Sequence, residues 1–360
     1  MTSGSAQAPD PQQLTRKVAL LAGMMTGAHV ALMIALGLRL GLYRTLAGAG
    51  AVTSDDLARL TSLKERWLRE WLRGQAAAGV LEYRGDERFE LSPEVAALLG
   101  DEDSLSYMGG NFASLPLRLR TLQDLPEAFR TGIGFSWDDR GVESSASTEG
   151  LFRNWYRQVL VPVALPMLDG LVPRLAGGAK AADIGCGTGI ALLEMARAFP
   201  KSAFHGYDIS AHALARAAEH RAAAGVTNVT FHNAATNPLP GDASFDFITT
   251  FDCLHDMTHP DAAVHAIRAA IKADGVWLIA DINGAPTFEE QLANAQTPLF
   301  YAMSVLSCMS SSLSEPGGAG LGTLGLPEPA LRALVESAGF TRFRRIDLPH
   351  PINAFYEVRP

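Results

Sequence analysis

The stretch that most constrains this chain is Asp183-Ile184-Gly185-Cys186-Gly187-Thr188-Gly189, set between an apolar strand-like run and a helical one. Alternate glycines at such a junction let the backbone turn sharply and approach a ligand without Cβ interference. The helix that follows offers unpaired N–H groups to an anion. Asp208 closes the next strand, 25 residues after Asp183, where a carboxylate suits a ribose diol. From Lys180 onward, strands are predicted over 181–184, 203–207, 229–232, 245–250 and 276–281. Helices over 189–198, 211–224 and 261–273 lie between them. This βαβ alternation builds a parallel, doubly wound sheet, hence an α/β fold. The tail adds a helix over 328–338 and strands over 343–348 and 354–358, expected as an antiparallel pair at the sheet edge.

A dinucleotide fingerprint needs glycine at position 190, which is Ile190; the loop reads D-x-G-x-G-x-G instead. With that loop, Asp208 and the terminal strand pair, residues 180–360 resemble the Rossmann-like S-adenosylmethionine (SAM) methyltransferases. The resemblance implies SAM as cofactor, its methionine at the loop and its ribose on Asp208. Candidate cofactor residues are then Asp183, Gly185, Gly187, Gly189, Asp208, Ile209, Asn233, Ala234, Phe251 and Asp252. The family usually carries an acid near the adenine after the third strand. Here 231–237 holds none, leaving Asn233 or Asn237 for the base.

The segment FDFITTFDCLHDMTHPD follows the fourth strand. Ligands meet the carboxyl ends of strands in open α/β sheets, so Asp252, His255 and Asp256 fall at the site. Methyl transfer to a hydroxyl needs alignment and removal of a proton, a task suited to a histidine near pH 7. The triplet Leu254-His255-Asp256 resembles the small-molecule O-methyltransferases whose base is the His of L-H-D-W, with Met257 in place of Trp. His255 is therefore the expected general base with Asp256 beside it; the other reading has His255 brace its own loop. His255, Asp256, His259 and Asp261 match no metal spacing and Pro260 interrupts them, so no metal is expected. LGLRLGLYRTL, ADIGCGTGIALLEMARAFP, GYDIS, FDCLHDMTHP and SLSEPGGAGLGT resemble a bacterial and animal group of SAM-dependent methyltransferases of poorly defined substrate. Phe135, Trp137, Trp155, Tyr156 and Met303 are the candidate substrate pocket, and the glycine run 317–322 reads as a loop beside it.

The 360 residues suffice for two domains. A disordered tail is expected over 1–13, a helical winged-helix and dimerisation domain over 14–104, a pocket-lining helical linker over 105–175 and the catalytic domain over 176–360. The winged helix rests on a capped start at Thr53, a helix over 64–78 and a hairpin turning at Gly85-Asp86. Seven basic against nine acidic residues over 54–100, in a chain of net charge −8, argue against a nucleic-acid partner. Three scattered cysteines exclude a disulfide scaffold and fit a reducing cytoplasm. Residues 18–38 run 21 positions without a charge, long enough to cross a bilayer. Gly23, Gly27, Gly37 and His29 favour a buried helix, packed in the core or across a homodimer, over a membrane span. The expected function is SAM-dependent O-methylation of a small molecule. The alternatives are a winged-helix regulator that senses SAM and a SAM-using catalyst that transfers no methyl.

Overall fold

The structure, a computed structural model, describes residues 8–360. It divides into two compact units that meet between Pro116 and Leu117, whereas the sequence suggested breaks at 104/105 and 175/176. Residues 1–7 of the expected tail lie outside the described residues. Helix begins at Pro11 rather than after 13, because Asp10 caps it through its Oδ1 (2.9 Å from the Gln12 N–H) and Pro11 pre-sets the first turn.

In the first unit the helix Pro11–Arg39 carries the charge-free stretch. Within the chain it is mostly exposed, so of the two expected packings the chain's own core does not supply the cover. Leu14, Val18, Leu21, Met24 and Met25 all face outward, and only Ile34, Ala35 and Gly37 near its end are buried. Gly37 is required there: a Cβ would meet the Trp71 ring at 2.5 Å. Helices Ser54–Thr61 and Glu65–Ala77 follow, the first closed by a capping box between Thr53 and Asp56. The wing is the hairpin β1 (Glu82–Tyr83) and β2 (Phe89–Glu90). Tyr43, Leu57, Leu72 and Phe89 form the core of this unit.

The second unit holds a seven-stranded sheet of β3 (Lys180–Ile184), β4 (Ala203–Asp208), β5 (Val229–Asn233), β6 (Phe245–Phe251), β7 (Ile271–Ile282), β8 (Arg342–Ile346) and β9 (Asn353–Arg359). Their order is β5-β4-β3-β6-β7-β9-β8. The first five strands are parallel, and β9 runs antiparallel between β7 and β8. The order reverses between β4–β3 and β6, the switch point at which such sheets bind ligands. Both faces are covered, so β3, β6 and the second half of β7 are buried almost throughout. One core holds Leu192, Phe204, Phe247 and Leu278; the other holds Ile248, Leu254, Ile267 and Trp277.

Candidate active site

One cavity of about 460 Å³ opens at the carboxyl ends of β3, β4 and β6, and its lining residues run from Ser136 to Glu315. The loop after β3 forms one wall. Gly185 has a left-handed φ of 72°, and a Cβ there would strike Cys253 Cβ at 2.7 Å, so only glycine fits. Nothing stands within 4 Å of where a Gly187 side chain would point, which leaves the loop backbone open to a ligand. Gly187 N–H donates to Asp208 Oδ2 (2.7 Å) and Ser210 N–H donates to Oδ1 (2.8 Å). The Asp208 carboxylate is thereby fixed in the cavity, and burial raises its pKa. Ile209 and Ala234 also line the wall, with Pro238 and Leu239 beyond them.

An apolar edge, an anchored carboxylate and a bare glycine backbone suit the adenine, ribose and amino-acid portions of SAM in turn. The residues present therefore fit that cofactor. Three expected contacts fall elsewhere. Asp183 is buried off the cavity wall, where Thr249 Oγ1 donates to its Oδ1 at 2.7 Å and burial pushes its pKa up to about 7. Gly189 is a packing glycine, because a Cβ would meet the Phe231 ring at 2.5 Å. Asn233 turns back on its own loop, its Oδ1 accepting from Ala235 N–H at 3.0 Å.

The opposite wall follows β6. Phe251 and Asp252 line it, with Asp252 in a left-handed conformation (φ 50°) and its Oδ1 accepting from Asn353 Nδ2. Burial, reinforced by the nearby Asp281, pushes the Asp252 pKa up to about 8. His255 lies behind the wall, only 2% exposed. Its Nδ1 is 2.6 Å from Asp281 Oδ1, and its Nε2 is 3.3 Å from Asp256 Oδ1, within ion-pair distance but off hydrogen-bond geometry. Burial works against charge on the ring, but the two carboxylates outweigh it and hold the pKa well above its ordinary value. His255 is thus an imidazolium clamped between two acids, and Asp256 is the member of the pair that faces the cavity.

Trp137, Phe152 and Tyr156 close the cavity over the cofactor wall. Trp155 instead joins the core, stacked on Phe355 at 5.1 Å. Phe135 lines a separate cavity of about 300 Å³, and Met303 lies on neither wall. Met257, Thr258, Ser311, Ser314 and Glu315 were missed by sequence reasoning. Their signal was present for the first two, which directly follow the His-Asp pair at the end of β6.

Residues 175–314 match the methyltransferase-domain family and residues 28–101 match the Rv2258c-like winged HTH domain. The chain carries a methyltransferase domain after a winged-helix domain. The methyltransferase domain resembles the ubiquinone biosynthesis O-methyltransferase of Paracidovorax citrulli, with 30% identity over 124 residues, 34% of this chain and 50% of that protein. The chain thus spans about half the length of this curated relative. Across its whole length it has the fold of human N-acetylserotonin methyltransferase in complex with SAM (TM-score 0.69, 17% identity, 99% of each chain). It is similarly close to mitomycin 7-O-methyltransferase (TM-score 0.68, 20% identity, 98% of this chain and 100% of that one).

Proposed function

We propose that this protein is a cytoplasmic, SAM-dependent methyltransferase that methylates an oxygen of a small-molecule acceptor and works as a homodimer. The observation that carries the reading is the single cavity that joins the glycine loop and Asp208 to the carboxylate of Asp256. SAM supplies, when bound, a methyl carbon activated by a sulfonium. The chain holds the cofactor by Asp208 and the 185–187 backbone, and it excludes water with Trp137, Phe152 and Tyr156. Asp256 would take the proton of the acceptor hydroxyl whose oxygen receives the methyl group.

Burial raises the pKa of Asp256 against the lowering influence of His255, which makes its carboxylate a stronger base than an exposed one. His255 then acts through Asp256 as a positioning residue, with its ring orientation held by Asp281. This revises the expectation that His255 takes the proton itself. Three unpaired cysteines, two of them buried, are consistent with a reducing compartment.

The homodimer reading rests on the helix Pro11–Arg39, about 44 Å long at 1.5 Å per residue. Among the described residues it is the one unbroken helix long and apolar enough to cross a membrane, judged by length and composition. Glycines at 23 and 27 with nothing within 4 Å suit close approach of a second helix, and a second copy of this chain supplies one. Leu21→Glu with Met25→Glu should yield a soluble monomer by light scattering; a wild-type chain extracted only by detergent would refute the dimer.

The activity itself is tested by transfer of labelled methyl from SAM to a panel of phenols, carboxylates and amines, alongside calorimetry of SAM binding. Gly187→Arg and Asp208→Ala should abolish binding. Unchanged binding in both, or no SAM binding by the wild type, overturns the site assignment.

A further inference from the structure

Residues 134–140 form a loop whose base and tip are tied to different parts of the second unit. At the base, Gly134 N–H donates to the Leu313 carbonyl (2.9 Å) and Phe135 N–H to Ser310 Oγ (2.9 Å). From the other side of the base, Arg140 donates through Nη1 to Ser307 Oγ (2.5 Å) and through Nη2 to the Ser307 carbonyl (2.6 Å). Its Nη2 also reaches the Phe135 carbonyl (3.2 Å) and so closes the loop on itself. The turn within is tightened by Asp139 Oδ2, which accepts from Ser136 N–H (2.8 Å) and Ser136 Oγ (2.7 Å). Ser136 and Trp137 line the main cavity, and the Arg140 guanidinium backs the Trp137 ring at 4.7 Å from its centroid.

The tip, Asp138, crosses to the start of the helix Ala211–Ala224. Its Oδ1 accepts from Ser210 Oγ (2.6 Å) and its Oδ2 from Ala211 N–H (3.3 Å). Burial opposes the charge of Asp138, but the Ser210 hydroxyl and the N–H groups of Ala211 and His212 outweigh it and lower the pKa. The contact is therefore a charge-assisted hydrogen bond, set in the favourable field of a helix N-terminus. Ser210 is shared between the loop and the cofactor wall. Its hydroxyl goes to Asp138, while its N–H goes to Asp208 Oδ1 (2.8 Å), the carboxylate assigned to the ribose. Asp138 is not itself a lining residue of the cavity, so it acts through two neighbours that are: Trp137 beside it and Ser210 across the gap.

We infer that Asp138 is a positioning residue that latches the 134–140 loop over the cofactor, so that opening of the Asp138–Ser210 contact governs release of S-adenosylhomocysteine. The inference rests on the SAM-binding reading above. Closed, the latch fixes Trp137 over the cofactor wall and steadies Asp208 through Ser210. Open, it frees both together, so loosening of the ribose site and uncovering of the cavity become one event. Movements of such loops, rather than the chemical step, limit turnover in many enzymes.

The test is stopped-flow tryptophan fluorescence of the complex of full-length protein with S-adenosylhomocysteine, followed on dilution, with thermal unfolding to check the fold of each variant. Loss of a hydrogen bond to a charged group shifts an equilibrium by roughly tenfold or more, so Asp138→Ala should speed release by about that factor. Asp138→Asn keeps an acceptor for Ser210 Oγ and should release several-fold more slowly than the alanine variant. Ser310→Ala removes the acceptor of Phe135 N–H at the base of the loop and touches neither Ser210 nor Asp208. It should speed release by about threefold or more, whereas a role of Asp138 confined to capping its helix would leave Ser310→Ala at the wild-type rate. Release unchanged in Asp138→Ala, equal release in the alanine and asparagine variants, or wild-type release in Ser310→Ala overturns the inference. Wild-type protein that fails to bind S-adenosylhomocysteine overturns the SAM-binding reading and this inference with it; intact binding with release indifferent to these variants overturns the inference alone.

Discussion

Asp281→Ala is the perturbation that bears most directly on the site. His255 and Asp281 are 2% and 1% exposed, and their 2.6 Å contact is a charge-assisted hydrogen bond shielded from water. Removing one partner of such a pair costs about 3–5 kcal/mol. Asp256 at 3.3 Å from the other ring nitrogen keeps partial compensation, which places the expected loss near the lower bound, about 3 kcal/mol. Asp281→Asn keeps an acceptor oxygen and loses only the charge assistance, about 1–2 kcal/mol.

Urea unfolding at several pH values reads both the size and the sign. The His255 pKa is raised on folding, so its contribution is fully present below the unfolded value of about 6.5 and is lost as pH rises through the folded value. The Asp252 pKa is raised to about 8, so the fold prefers its protonated form, and stability declines as pH climbs from about 4 towards 8. Both effects have the same sign, and wild-type stability should fall between pH 6 and 9. In Asp281→Ala, only Asp256 is left to oppose burial at His255 and Asp252 loses a repelling neighbour, so the decline should flatten. A loss below 1 kcal/mol with an unchanged pH slope would refute the clamped imidazolium.

Gly189→Ala places a Cβ at 2.5 Å from the Phe231 ring at a φ of 77°, and should cost about 2–3 kcal/mol in thermal unfolding while SAM affinity in the folded fraction stays within threefold. Trp155→Ala removes the ring stacked on Phe355 and should destabilise the second unit by about 3–5 kcal/mol in urea. Trp137→Ala opens the cavity without touching the core, so melting temperature should hold within about 2 °C while acceptor affinity, read as KM, falls roughly tenfold.

The α/β layering was legible because each element carries its own signal. Parallel strands covered on both faces are continuous apolar runs, and helices between them end at glycine or proline, so 211–224 was read to the residue. The β7 start at Ile271 was not: Lys272, Ala273 and Asp274 continue the helical composition, and only pairing with β6 draws Ile271 into the sheet. The helix Pro11–Arg39 was found at once from hydropathy, but its exposure was not. Composition reports how apolar a helix is and leaves open whether its own chain covers it.

The division within the site has the same origin. Asp208 and the glycine loop could be assigned early because their chemistry is local: strand end, turn and helix start lie within a few residues, and the carboxylate meets Gly187 across two adjacent strands. His255 could not, since its behaviour is set by partners distant in sequence. Asp281 reaches it from the end of β7, and Asp256, its neighbour, takes the cavity-facing position because the short helical turn Leu254–Asp256 rotates the two side chains apart. A motif names the residue types that meet; their order from cavity to core comes from the turn. Here the order makes the carboxylate the group that meets the acceptor and the histidine the cation that supports it. On that order, Asp256→Asn and His255→Gln should differ in labelled-methyl assays: the first should lose turnover at every pH, about a hundredfold or more. The second should lose less and be partly restored as rising pH ionises Asp256. Equal, pH-independent losses would return the role of base to His255.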